Sequence, residues 1–141
     1  MDKLARLSTE ADIRHLIGRY AHLVDSRQLA ECEKLFAEDA QMEVLGKSYN
    51  GRKEVRGWLD SLDSIGGPAG KHMVANHVVT FHGDGRISAV SDFMVFKDID
   101  ARWTSTSRGS YHDEFVYQGE TLLFRKRRIE VIFAKPAVKP T

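Results

Sequence analysis

The chain has 141 residues, 42% hydrophobic and 29% charged, with a formal net charge of +1 at pH 7. That size and balance suit one domain, 1–141, able to bury its own core, and near-neutral charge gives no field to gather nucleic acid or a membrane surface. A lone Cys32 excludes an internal disulfide; it reads as a buried thiol or, less simply, a nucleophile. No run approaches the roughly 18 apolar residues of a membrane span. The opening MDKLARLSTEAD lacks the apolar core of a signal peptide, so the expected location is cytoplasmic.

Ala11 to Asp25 is the first predicted helix, because Ile13, Leu16, Ile17, Tyr20 and Val24 fall on one stripe. His15, Arg19 and His22 lie on the solvated side, and Thr9 with Asp12 forms a candidate capping box. Ser26 to Ala40 predicts a second helix, with Leu29, Cys32, Leu35 and Phe36 on one side. Ala40 to Leu45 carries a β signal, Gly46 to Arg52 holds turn residues including Asn50-Gly51, and Glu54 to Leu62 predicts a third helix. A glycine-rich loop follows, whose span Gly66 to Gly70 would suit a lid.

From His72 the period becomes two. Strands are expected over His72 to Gly83, Arg86 to Lys97, Trp103 to Tyr117 and Leu122 to Phe133, separated by Gly83-Asp84-Gly85, a loop over Asp98 to Arg102, and Gln118-Gly119-Glu120. The tail AKPAVKPT is expected to be loose. Helices followed by long hairpin-linked strands imply an α+β fold, with helices on one face of an antiparallel sheet.

Asp25 ends its helix where the dipole favours a cation, which calls for a partner. His72 is that candidate. Regular alternation would put His72, Val74, Asn76, Val78 and Thr80 on one mixed face suited to a pocket wall. A histidine backed by a carboxylate is a general base with its tautomer fixed; a strand-end histidine bonded to a carbonyl is the plainer alternative. Tyr20 is either an amphipathic core residue or a phenol that donates to substrate oxygen. Tyr111 and Asp113 share a strand face and are candidate cavity residues. In the basic run 125–128, alternation splits the charge between two faces, and Arg127 is the one taken to reach inward to an anion or to Asp25. His77, His82, Glu43 and Asp92 have no metal-ligand spacing, so no metal is expected.

Taken in order, these marks resemble a SnoaL-like protein of the nuclear transport factor 2-like superfamily over roughly residues 8–134. The marks are R-Y-x-x-x-x-D ending at Asp25, L-F-A-x-D-A over Leu35 to Ala40, and a G-x-x-x-[IVL] helix start at Gly51. An H-x-x-x-N strand at His72 and a G-x-Y-x-D strand at Gly109, Tyr111 and Asp113 complete them. The resemblance implies a cone in which a curved antiparallel sheet wraps the long first helix. It is greatest to the scytalone dehydratase, bile-acid dehydratase and dehydrochlorinase branch, whose helix-end Asp and strand His fall here on Asp25 and His72. The bile-acid dehydratase-like pattern adds Tyr20.

The resemblance further implies catalysis without cofactor or metal, a small and mostly apolar cyclic substrate, and dimers or trimers built through the outer sheet face. The expected function is a dehydratase-like lyase or an isomerase, with His72, Asp25 and Tyr20 catalytic. Asn76, Val74, Tyr111, Asp113 and Arg127 are expected to bind substrate. Alternatives of the same fold are a polyketide cyclase and a non-catalytic binding or subunit-interaction module. A ring-hydroxylating dioxygenase small subunit is set aside because such subunits are taken to run longer.

Overall fold

The computed structural model describes residues 1–62 and 70–132. Helix α1 (Lys3–Asp25) starts earlier than its apolar stripe suggests, because Asp2 caps it by accepting from the Ala5 amide at 2.7 Å. Thr9 is therefore not a cap; it is buried on the helix face that also carries Ile13, Leu16, Ile17, Tyr20, Ala21 and Val24.

The expected second helix survives only as α2 (Leu29–Glu33). The chain then enters strand β1 (Phe36–Val44), which begins four residues before the β signal at Ala40. Sheet pairing overrides helix propensity here. Leu35 accepts from the Phe124 amide at 2.9 Å, and the rings of Phe36 and Phe124 sit 5.0 Å apart. Strand β2 (Lys47–Asn50) folds back on β1 through Leu45 and Gly46, both at positive φ (52° and 75°), as a two-residue hairpin requires. Asn50-Gly51 is thus not the tight turn; Gly51, at φ 87°, starts helix α3 (Arg52–Ser61).

The later strands are β3 (Lys71–Phe81), β4 (Ile87–Ile99), β5 (Arg102–Gln118) and β6 (Thr121–Val131). The loop expected over Asp98 to Arg102 shrinks to Asp100 and Ala101, both at positive φ, and the strands run on either side of it. One curved sheet results, in the order β2-β1-β6-β5-β4-β3. All its pairs are antiparallel except β1 with β6, which is parallel. The α+β class holds, with that one parallel pairing added.

Strand β3 carries a bulge. Register shifts between Ala75 and Val78, and Asn76 sits at φ 57°. An extra residue swaps the faces beyond it. The more buried side therefore reads His72, Val74, His77, Val79 and Phe81, and Asn76, Val78 and Thr80 turn outward. The core joins the stripe of α1 to Phe36, Met42, Phe93, Tyr111, Phe115 and Phe124 of the sheet, with Val55 and Leu59 of α3 at one end. No helix among the described residues is long and apolar enough to cross a membrane.

Candidate active site

Asp25 closes α1 and His72 opens β3, and the fold brings them together. Asp25 Oδ1 lies 2.6 Å from His72 Nδ1, while Oδ2 accepts the His72 backbone amide at 2.9 Å. That amide is available because β3 is an edge strand with one row of backbone groups unpaired by the sheet. Two bonds from one residue fix the carboxylate, and the ring is held in turn. With Asp25 ionised, Nδ1 is the nitrogen that donates to it, which leaves Nε2 as the one open to another partner. Burial pushes the Asp25 carboxyl up. The His72 ring and amide hydrogen bonds, with the charges of His72 and Lys71, outweigh burial and hold it below the usual aspartate value.

The pair sits in the wall of a cavity of about 540 Å³ between the end of α1, α3 and the sheet. Its apolar surface comes from Val24, Trp58, Phe93 and Ile129, among others, and its polar groups include Tyr20, Tyr111, Thr106 and Ser107. A mostly apolar chamber with a few convergent polar groups is what a small organic ligand requires. The Tyr20 and Tyr111 rings pack edge to face at 6.1 Å. Burial raises both phenols well above their ordinary range, so both stay protonated at neutral pH.

Asp113 and Arg127 do not line this cavity. Arg127 Nε and Nη2 each donate to an Asp113 carboxylate oxygen at 2.8 Å, and both side chains are fully buried. The guanidinium carbon lies 3.8 Å from the Tyr111 ring centre and 4.3 Å from those of Tyr20 and Phe124. The expectation that they bind substrate is corrected: they form an ion pair beneath the aromatic rings, and Arg127 does not reach Asp25. Asn76 is corrected as well. The bulge turns it to the exposed face, where it donates to Asp92 at 2.9 Å. Val74 stays on the His72 face but lines a separate groove beside α1 rather than the large cavity.

Sequence reading missed Trp58, Phe93, Thr106 and Ser107. Trp58 belonged to a recognised helical stripe, yet a stripe does not tell core from cavity. Thr106 and Ser107 both face the chamber because a second register shift, between Val95 and Phe96, breaks the alternation of β4 and β5. The suggested lid falls largely on 63–69, outside the described residues; Gly70 lines the cavity. Among the described residues no three His, Cys, Asp or Glu side chains converge as a metal cluster would.

Residues 5–128 match the model of the SnoaL-like domain family. An NTF2-like protein with a cystatin-like fold from Novosphingobium aromaticivorans is 23% identical, with TM-score 0.79, covering 95% of this chain and 88% of that one. A candidate scytalone dehydratase from the same organism is 17% identical, with TM-score 0.77 and coverage of 91% and 87%. The beta subunit of a candidate aromatic-ring-hydroxylating dioxygenase, also from that organism, is 18% identical, with TM-score 0.78 and coverage of 96% and 95%. That last overlap removes length as a ground for setting such subunits aside. No curated protein matches at a significant level. Likeness at these identities establishes the fold, and the family match goes further: the chain belongs to the SnoaL-like domain family.

Proposed function

We propose that the protein is a cofactor-independent lyase of the dehydratase type, or an isomerase, acting on a small and mostly apolar cyclic molecule. The observation that carries this reading is the Asp25–His72 pair at 2.6 Å in the wall of an apolar cavity. His72 Nε2 takes a proton from the carbon beside a substrate carbonyl, and Asp25 steadies the imidazolium that forms. The electron pair moves onto the carbonyl oxygen, where the protonated phenols of Tyr20 and Tyr111 stabilise the enolate. In a dehydration the enolate expels a β-hydroxyl, which takes the proton back from His72 and leaves as water. In an isomerisation the same proton returns to a different carbon. Steroid, terpenoid, polyketide and aromatic-catabolite rings are the substrate classes that suit the chamber.

The test is solvent deuterium wash-in, with water release followed in parallel, across a panel of cyclic ketones and β-hydroxy ketones. His72→Ala is expected to lower the exchange rate by about 10²–10⁴-fold while circular dichroism stays unchanged. An unchanged rate removes His72 from the mechanism. Saturable binding with no exchange by the unaltered protein favours the alternative, a non-catalytic binding module that uses the same chamber.

The assembly belongs to this reading too. On the outward face of the sheet, Met73 pairs with Met94 and Val78 with Val90, and all four are exposed. A second copy of the chain is the partner proposed for this face.

A further inference from the structure

A groove of about 280 Å³ runs between α1 and the edge strand β3 on the far side of the dyad. It exists because the helix presents Gly18 and Ala21 to the strand; a Cβ built on Gly18 meets nothing within 4 Å. Its rim carries Arg14, His22, Lys71 and His77, and among the described residues no carboxylate lines it. Arg14 makes no ion pair or hydrogen bond among the described residues. Lys71 is partly committed, with Nζ 3.9 Å from Asp25 Oδ2. Burial and the nearby Arg14 charge depress the His77 imidazole below its usual range, so at neutral pH it adds no charge. The net effect is one free guanidinium beside a small apolar floor. His72 borders both this groove and the large cavity, so a molecule here would rest against the back of the dyad.

We propose that this groove is a second ligand site, for a small organic carboxylate with an apolar body. The carboxylate is received by Arg14, with Lys71 beside it, and the hydrocarbon lies over Gly18, Ala21 and Val74. A planar guanidinium matches a carboxylate through paired N–H donors. A strongly hydrated dianion would lose water to the apolar floor without a second free cation to replace it. A monoanion with a hydrocarbon body meets both halves of the groove.

Benzoate is the probe, titrated into the full chain and followed by nuclear magnetic resonance. The His22 and His77 imidazole signals report the groove, and the Trp58 indole N–H reports the large cavity. The expected result is a saturable shift at His22 and His77 with Trp58 unmoved, and no saturable shift from inorganic phosphate at equal concentration. Gly18→Leu, which fills the open space, and Arg14→Gln are each expected to weaken binding by about tenfold or more. Saturation read at Trp58 and untouched by Gly18→Leu would place the probe in the large cavity and overturn the assignment. So would phosphate binding as tightly as benzoate, or no saturation at all.

Discussion

A carboxylate at the C-terminal end of a 23-residue helix opposes the helix dipole, and Asp25 is tolerated there because His72 gives it two hydrogen bonds. Those bonds make a pH prediction. The folded-state value of Asp25 is depressed below its ordinary 3.8, so its contribution to stability is complete above that value. It is lost as pH falls through the lower folded value. Asp25→Asn is therefore expected to flatten the acid limb of stability below about pH 4, measured by urea unfolding across pH. An acid limb as steep as that of the unaltered protein would mean the carboxylate is not held as described. Asp113 differs in kind. It neutralises a guanidinium buried among three rings, and Arg127 Nη1 has no hydrogen-bond partner among the described residues. Asp113→Asn leaves that cation unpaired and is expected to cost about 3–5 kcal/mol in chemical denaturation.

At the scale of elements, two glycines have opposite meanings. Gly18 lies inside α1 with open space where a Cβ would sit, so Gly18→Ala should stabilise by about 0.5–1 kcal/mol through helix propensity. Gly109 lies where β5 runs against β6, and a Cβ there would collide with the Glu130 carbonyl oxygen and crowd the Phe93 ring. Gly109→Ala should destabilise and disturb the Phe93–Tyr111 stack at the cavity wall, seen as a lowered Tm and shifted aromatic resonances. Elements with a long, clean period were legible: the stripe of α1, the four late strands, and Asp25 with His72 as partners. The second helix was not, because Leu35 and Phe36 satisfy a helical stripe and a sheet core equally well, and only Phe124, far along the chain, decides between them. Asn76 was misplaced for a related reason. A bulge changes which face a residue occupies without changing the alternation that its neighbours display. Arg127 and Asp113 were recognised as inward-facing, yet nothing in either strand alone says that they face each other.

For the whole molecule, the sheet's outward face carries Met73 with Met94 and Val78 with Val90 on either side of the Asn76–Asp92 hydrogen bond, the face proposed above to meet a second copy. Val78→Lys with Met94→Glu is expected to shift the particle toward a monomer in light scattering, with ligand binding in the chamber retained. An unchanged mass that is already monomeric would remove the proposed interface. The strand order has a consequence in time. β1 leaves the ribosome early, but its parallel neighbour is β6, the last of the described strands, and α1 rests its Tyr20 ring on Phe36 and Phe124 from those same two strands. Until β6 arrives, the β1–β2 hairpin has nothing to join it to the β3–β5 strands, and Tyr20 lacks the Phe124 ring. Closure of the sheet must wait for β6, so a chain stopped short of it would offer the rings of Tyr20 and Phe36 to chaperones rather than to Phe124.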